Sequence, residues 1–375
     1  MGGSAFSSRL AKEAIPRLPP KVYDALKARL VPILSELYSL VAVPIEAPEK
    51  TSHGDLDILV GRPNPSNTSF GSESVTYLPH SLVKATLGAR IVVEAEENRT
   101  SNYAVPVLIG EWEQFGHGAD ERRAREAVPD GEIYYQIDIH ACIDEEEFQR
   151  IKFYHSYGDL NMILSLMVRN LGLKLGQTGL WIPDPPNPPF LLSANFKMVL
   201  PFLGLSLETY SVGFTTKSEV FKWVRSMKYF DPGVFQTKGE GIRKVPQDRR
   251  MYHEFVEWVS IDCTARNLGT EQLLHSSVRE QALLYFNKAS EREAMVASRN
   301  INLRAKSALS FHLVQEWAAP LRAKDVKTLI SAVKNHLGGN EGLAEFARLN
   351  GEEELKKLVM ELKKGIDQRA PAEVV

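Results

Sequence analysis

The order of apolar and polar positions divides the first part of the chain into helices and strands. Residues 19–41 carry apolar residues at helical spacing, which predicts a helix that Pro32 breaks or kinks. A strand is expected at 56–60, followed by a loop of Gly, Pro, Asn and Ser through Ser74. "PHSLVKATLG" predicts a helix that ends at Gly88, and "ARIVVEAEE" and "YAVPVLIGEWE" predict two further strands.

The segment "IYYQIDIHACI" has the clearest strand pattern. Its apolar residues alternate with Gln136, Asp138 and His140, which predicts a half-buried strand with one polar face. Asp138 lies on that polar face.

The second half of the chain is expected to be largely helical. "DLNMILSLMVRNLG" predicts a helix ended by Gly172, and "LGLKLGQTGLWI" predicts two short strands around a turn. Residues 183–189 form a stiff proline-rich loop, and the pattern is mainly helical from about residue 215.

Length and cysteine content limit the class of protein. The chain has 375 residues and is 43% hydrophobic, which is enough for a sizeable core and two or three domains. Cys142 and Cys263 are far apart and lack metal-ligand spacing, so an intracellular protein, nuclear or cytoplasmic, is expected. The start "MGGSAFSSRLAK" lacks acidic residues, and a mitochondrial location is the alternative. No apolar run reaches the roughly 18 residues of a membrane span, so no membrane partner is expected.

Charge is distributed unevenly along the chain. The net charge is −2, which gives no overall basic signature of a nucleic-acid-binding protein. Residues 111–147 are rich in Asp and Glu, whereas residues 217–250 are rich in Lys and Arg. This asymmetry suits a metal site beside an anion-binding surface, and two differently charged solvated faces are the alternative.

Two aspartates stand at the head of the strand in "KTSHGDLDILVGRP". Side chains on a strand alternate between faces, so Asp55 and Asp57 point to the same side. Two carboxylates there repel each other and resist burial unless a cation neutralises them. The pattern indicates a divalent metal site or, alternatively, a solvated strand end. Asp138 would add a third carboxylate if its strand is a neighbour.

A resemblance to a known family emerges from these motifs taken together. "HGDLDILV", followed by "YQIDIH", "FYHSYGDLN", "GLKLGQTGLW" and "VLPFLGL", resembles the palm and thumb of the family X DNA polymerases over residues 44–205. Together with "FKWVRSMKYF", the combination is similar to a fungal branch of this nucleotidyltransferase superfamily.

The resemblance implies an α+β fold with a polymerase beta-like palm and a mixed sheet. The expected parts are an N-terminal helical segment (1–43), the palm (44–150), a thumb-like region with a hairpin (151–212) and a mainly helical C-terminal domain (213–375).

The resemblance also implies a reaction. Asp55, Asp57 and Asp138 would be the catalytic residues and the ligands of two Mg²⁺ or Mn²⁺ ions. The enzyme would move a nucleoside monophosphate from an NTP or dNTP to a hydroxyl, foremost at a single-stranded nucleic-acid 3′ end. Transfer to a small molecule, a nucleotide or a protein is the alternative, and so is a non-catalytic palm that acts as a binding scaffold.

The chain departs from the family pattern before the first aspartate. The family normally places a Gly-Ser turn there to bind the triphosphate, whereas this chain has "VPIEAPEK". Lys50, Thr51, Ser52 and His53 are the replacement candidates for nucleotide binding, and a plain polar turn is the alternative. About 43 residues precede the palm, too few for helix-hairpin-helix modules, which favours a single-stranded end or small acceptor over gap-filling on duplex DNA.

Three residues after the third carboxylate are further nucleotide-binding candidates. Phe153 and Tyr154 lie where the family sets an aromatic pair against the sugar of the incoming nucleotide, and core aromatics are the alternative. Asp159 is the third candidate, and its alternative role is to cap the helix that begins near Leu160.

The basic zone combines two patterns. "SEVFKWVRSM" predicts an amphipathic helix, whereas "KGEGIRKVPQDRR" predicts an exposed loop that contacts nucleic-acid phosphates. The candidate nucleic-acid-binding residues of this loop are Lys238, Arg243, Lys244, Arg249 and Arg250.

Overall fold

The chain forms two compact units. The computed structural model describes residues 5–65, 77–94, 99–236, 245–264 and 275–367. The first unit comprises Met1–Pro183 and Pro189–Phe286, and the second comprises Asp184–Pro188 and Asn287–Val375. The four-part division expected from the sequence is finer than these two units and stays a prediction.

A mixed five-stranded sheet is the centre of the first unit. Its strands are β1 (Tyr38–Ala42), β2 (Leu56–Pro63), β3 (Ile91–Val93), β4 (Thr100–Pro106) and β5 (Tyr134–Cys142). They lie in the order β1-β2-β5-β4-β3, with β2 and β5 parallel and the other neighbouring pairs antiparallel. The expected α+β class with a mixed sheet is therefore confirmed.

One face of this sheet forms the main core. Alternate residues of β2 and β5, including Leu56, Ile58 and Ile137, are buried there. Helices α1 (Pro20–Ser35) and α2 (His80–Leu87) pack against the same face through their own apolar residues. The alternation predicted for "IYYQIDIHACI" is thus confirmed.

The opposite face of the sheet carries the polar strand positions. Leu59 and Cys142 lie on this face and pack against apolar residues of α4 (Glu145–His155). Because side chains alternate along a strand, Asp57 shares the face of Leu59, and Asp138 shares the face of Cys142.

The rest of the first unit contains one further sheet and more helices. The short strands β6 (Lys174–Gly176), β7 (Gly179–Ile182) and β8 (Phe190–Ser193) form an antiparallel sheet, so the predicted pair of strands around a turn is confirmed. The helices are α3 (Gly118–Glu126), α5 (Leu160–Asn170), α6 (Phe196–Phe202), α7 (Leu207–Val212), α8 (Lys217–Arg225), α9 (Gly233–Gln236), α10 (Arg250–Thr264) and α11 (His275–Tyr285).

The second unit is helical in its described part. It contains α12 (Ala289–Ala308), α13 (Phe311–Trp317), α14 (Ala323–His336) and α15 (Gly339–Asp367), which share an apolar core. Gly351 interrupts α15 with φ 77°, a backbone angle that favours glycine. In the part of the chain that the structure describes, no helix is long and apolar enough to cross a membrane.

The helix expected over residues 19–41 is wrong in its second part. Helix α1 ends at Ser35, and residues 38–42 form the edge strand β1, whose Val41 lies opposite Val60 of β2. The apolar residues there fit either period, and pairing with β2 decides between them. Pro32 lies inside α1 and does not divide it into two helices.

Candidate active site

The register of two parallel strands brings the predicted carboxylates together. Asp57 on β2 is the direct partner of Asp138 on β5, and adjacent strands lie about 4.8 Å apart. Asp55, two residues before Asp57, is close enough that its charge acts on both Asp57 and Asp138. The three side chains therefore gather at the start of β2, beside the middle of β5.

Two amide side chains hold Asp138 in place. Asn102 on β4 lies opposite Asp138, and its Nδ2 donates a hydrogen bond to Asp138 Oδ1 at 2.6 Å. Gln136 Nε2 donates to both carboxylate oxygens, at 3.0 and 3.1 Å. The orientation of Asp138 is therefore fixed from two sides by neutral donors.

Protein surroundings and mutual repulsion raise the pKa of two of the carboxyls. Loss of bulk water and the nearby Asp55 and Asp138 raise the pKa of Asp57 to about 7. The Asp57 side chain is exposed to solvent, and its two anionic neighbours alone would also raise its pKa. Burial and Asp55 raise the pKa of Asp138 to about 6, although the bonds from Asn102 and Gln136 act the other way.

The three carboxylates do not converge on a single point. Among the described residues, the only group of His, Cys, Asp or Glu with three ligand atoms all within 4.8 Å is His140, Cys142 and Glu147. Two ions in a two-metal site lie about 3.5–4 Å apart, so their ligands spread more widely than those of one ion. The donor set of three carboxylates fits Mg²⁺ or Mn²⁺, which prefer oxygen ligands.

The His140, Cys142 and Glu147 group has the spacing of a metal site, but an arginine side chain already binds its carboxylate. Arg99 donates two hydrogen bonds to Glu147, both at 2.7 Å. These bonds lower the pKa of Glu147, whereas burial raises the pKa of the Cys142 thiol to about 12. A metal would have to displace Arg99 and deprotonate that thiol, so the group is less suited to an ion than its distances suggest.

A cavity of about 320 Å³ opens beside the carboxylates. Its wall includes Asp57, Thr100, Asp138, His140, His155 and Gln177. His140 Nδ1 and Thr100 Oγ1 share a hydrogen bond of 2.8 Å. The Nε2 atom of His140 is buried and has no partner among the described residues. The volume lies at the lower end of the range for small-molecule sites.

The segment before Asp55 is held by an acidic residue that the sequence reasoning did not select. Glu46 accepts a 2.6 Å hydrogen bond from Tyr23 and pairs with Lys50. His53 Nδ1 lies 3.6 Å from Glu46, too far for a hydrogen bond. Burial acts to raise the pKa of Glu46, but the nearby His53, Lys50 and Tyr23 outweigh it and hold that pKa at about 2.

The four candidates for triphosphate binding are therefore partly engaged elsewhere. Lys50 pairs with Glu46, although its positive charge also acts on Asp57. Ser52 Oγ accepts a 2.9 Å hydrogen bond from Arg17. His53 is buried and stacks on the Tyr23 ring with centroids 3.8 Å apart, whereas Thr51 is exposed.

The aromatic candidates lie on α4. Phe153 is buried and stacks on Phe196, with centroids 4.3 Å apart, and it also contacts Tyr210. This placement fits the alternative of a core aromatic. Tyr154 is half-buried and has an edge contact with His155. Contact of either ring with a nucleotide sugar stays a prediction.

Asp159 has a structural role other than the helix cap that was the alternative to nucleotide binding. It precedes α5 but makes no side-chain capping bond to that helix, so that alternative is wrong. Instead, its carboxylate accepts 3.2 Å hydrogen bonds from Arg249 and from the backbone N–H of Tyr252. Because Tyr252 lies in the first turn of α10, Asp159 satisfies a donor there and pairs with one candidate nucleic-acid-binding residue.

The remaining basic candidates lie at or before the start of α10. Lys238, Arg243 and Lys244 lie outside the described residues. Arg250 is exposed at the first position of α10, and Arg249 is exposed despite its pairing with Asp159.

Comparisons with known proteins assign no family to this chain. No protein-family model matches the chain, and no curated protein matches it.

Sequence reasoning missed the residues that support the candidate site. Asn102 lies inside a strand, where asparagine is uncommon, and that exception was the available signal. Glu46 offered no pattern of its own, because Tyr23, which donates a hydrogen bond to it, lies 23 residues earlier in the chain. Arg99 and Glu147 are likewise joined only by the fold.

Proposed function

We propose that this chain is a metal-dependent nucleotidyltransferase with a polymerase beta-like palm. It moves a nucleoside monophosphate from an NTP or dNTP to a hydroxyl acceptor. The observation that carries the proposal is the pairing of Asp57 with Asp138 across two parallel strands, with Asp55 beside them. Among the described residues no Lys or Arg forms an ion pair with any of the three carboxylates, and such a group of charges favours a divalent ion.

Asp55, Asp57 and Asp138 are the residues that would hold two Mg²⁺ or Mn²⁺ ions. Such ions, when bound, activate the acceptor hydroxyl and stabilise charge on the phosphates. Asp57 is central in this arrangement because both other carboxylates act on it. Asn102 and Gln136 fix the orientation of Asp138, which lowers the cost of assembling the site.

The chain's own residues also suit the substrates. The cavity beside the carboxylates adjoins the metal position, and the positive charge of Lys50 acts on Asp57 from the preceding segment. A polyanionic triphosphate can compete with Glu46 for Lys50. The exposed Arg250 supports a nucleic-acid acceptor, for which we favour a single-stranded 3′ end.

The decisive experiment combines binding with transfer. Thermal unfolding is measured with each NTP and dNTP in Mg²⁺, Mn²⁺ or EDTA. In separate reactions, the folded protein is incubated with labelled nucleotides, with and without RNA or DNA oligonucleotides. We expect a rise in Tm that requires both nucleotide and metal, together with label on an acceptor. The surface variant Asp130→Asn should behave as wild type, since Asp130 lies in an exposed turn. Absence of both signals in every metal and nucleotide tested would refute the proposal.

A non-catalytic scaffold is the second candidate function, and one observation favours it. Lys50 and Ser52, which would replace the missing triphosphate turn, already contact Glu46 and Arg17. If these contacts persist, the carboxylates bind metal but no triphosphate. A scaffold would therefore show stabilisation by Mn²⁺ alone, with no further increase in Tm on adding nucleotide.

A further inference from the structure

A second cavity of about 450 Å³ lies against a different face of α4. It is bounded by α4, α6 and α7 together with Ile45. None of Asp55, Asp57 and Asp138 lines it. The residues of α4 that face it, such as Lys152 and Phe153, differ from those that cover the sheet.

The charges around this cavity are of one sign. Arg150, Lys152 and Lys197 line it, and its lining contains no Asp or Glu. Within the described residues, none of these three side chains makes a hydrogen bond or an ion pair, and Arg150 Nε is buried without a partner. Buried donors are normally paired, so Arg150 Nε, which has no protein partner, is available to an anion that enters the cavity.

Part of the remaining wall is apolar, and the rest is formed by uncharged polar residues such as Gln149, Ser156 and Asn195. Phe153 and Phe196 stack on each other there, next to Leu200 and Leu207. Phe153, Phe196 and Leu200 are buried, so this wall is a fixed part of the fold. A ligand that fills the cavity therefore meets cations on one part of its surface and hydrocarbon on another.

We propose that this cavity binds a phosphate monoester that carries an apolar or aromatic group. A phosphate monoester has close to two negative charges at neutral pH, with a second pKa of about 6. That charge suits three cations better than a single carboxylate does, and the arginine fork can donate two hydrogen bonds to phosphate oxygens. The aromatic and leucine side chains would receive the organic part of the same molecule.

This second site is separate from the proposed active site. Its lining shares no residue with the 320 Å³ cavity beside the carboxylates, and Phe153, one of the predicted nucleotide-binding residues, lines the second cavity and not the first. Asp57→Asn should therefore leave binding at the second site unchanged. A failure of the nucleotidyltransferase proposal would not affect this one, and the reverse also holds.

Titration calorimetry in EDTA with three probes tests the proposal. Phenyl phosphate should bind one site per chain, inorganic phosphate should bind more weakly, and phenol should not bind measurably. Arg150→Gln and Lys197→Gln should each weaken phenyl phosphate binding by roughly tenfold, the usual loss for a charge-assisted hydrogen bond. Lys174→Gln, an exposed lysine outside the cavity, should bind as wild type.

Two further measurements distinguish loss of this site from unfolding and from binding elsewhere on the protein. Lys197 is exposed, so its variant should keep the wild-type Tm without probe. Wild-type affinity for phenyl phosphate should rise between pH 5 and pH 7.5 as the probe gains its second charge. No binding of phenyl phosphate, equal binding of inorganic phosphate, or equal loss in Lys174→Gln would overturn the proposal.

Discussion

Two groups of acidic side chains lie along the same face of the central sheet in opposite electrostatic states. Asp57 and Asp138 have raised pKa values because they are partly removed from water beside other carboxylates. Glu147, next to Cys142 at the carboxyl end of β5, has a lowered pKa because Arg99 binds both of its oxygens. The protein thus supplies a cation to one group and leaves the other largely uncompensated.

Under the proposed function, this difference separates a structural acid from the metal-binding ones. Arg99 and Glu147 neutralise each other and also tie the start of β4 to α4. Asp55, Asp57 and Asp138 do nothing comparable for the fold, since their repulsion opposes it. Carboxyl groups with perturbed pKa values cluster at functional sites, and this supports the proposal that Asp55, Asp57 and Asp138 bind a divalent cation.

The largest expected effect comes from neutralising the uncompensated group. Asp57→Asn and Asp138→Asn should each reduce nucleotidyl transfer by roughly 10²–10³-fold or more, because each removes a charge that would stabilise the transition state. In metal-free buffer the same variants should be as stable as wild type or more stable, since repulsion is relieved. Transfer rates and urea unfolding in EDTA are the two measurements.

The matched control for these variants is Asp130→Asn, which alters a solvated turn. It should change neither transfer nor stability. If Asp57→Asn and Asp138→Asn were instead both destabilised in EDTA, the carboxylates would be serving the fold, and the contrast with Glu147 would be lost.

A change at the compensated group should have the opposite sign. Arg99→Gln leaves Glu147 beside the buried Cys142 without its cation, and we expect a loss of about 1–3 kcal/mol in the free energy of unfolding. The double variant Arg99→Gln with Glu147→Gln should recover much of that loss, because no isolated charge remains. Urea unfolding of the three proteins measures it, and equal losses in the single and double variants would contradict the pairing.

Local pattern predicted the elements that carry the carboxylates, whereas the supporting contacts required the fold. The alternation around Asp138 and the position of Asp57 at a strand head placed both on polar strand faces. Whether those strands are neighbours is a long-range property, and only the β2–β5 pairing answers it. The roles of Asn102, Glu46 and Arg99 were not predicted for the same reason, since each residue binds a partner at least 23 residues away in the chain.

The same contrast predicts how stability depends on pH. A carboxyl whose pKa is higher in the folded state, here about 7 for Asp57 and about 6 for Asp138, binds more protons folded than unfolded. The metal-free protein should therefore lose stability as the pH rises from about 4 to 7. Because Asp57 is exposed, we expect about 1 kcal/mol for this change and not the several that the raised pKa alone would give.

Differential unfolding at pH 5 and pH 7.5 measures this effect. Asp57→Asn should flatten the dependence, and so should saturating Mg²⁺, which replaces the protons. A wild-type protein that gains stability over this range in EDTA, with Asp57→Asn behaving identically, would show that these carboxyls are not the ones that titrate.

The smallest expected effect concerns the orientation of Asp138 by its neighbour on β4. Asn102→Ala removes the 2.6 Å hydrogen bond to Asp138 but keeps the carboxylate itself. One such bond contributes about 0.5–1.5 kcal/mol, so the apparent affinity for Mg²⁺ should fall by roughly 2–10-fold. Transfer should recover at high Mg²⁺, unlike in Asp138→Asn, because the ligand is still present.

Asn102→Asp is the more sensitive variant, because it replaces the donor with a fourth negative charge and should raise the pKa of Asp138 further. The loss of stability of the metal-free protein between pH 5 and pH 7.5 should then be larger than in wild type. Identical Mg²⁺ titrations for wild type and Asn102→Ala would mean that Gln136 alone suffices to orient Asp138.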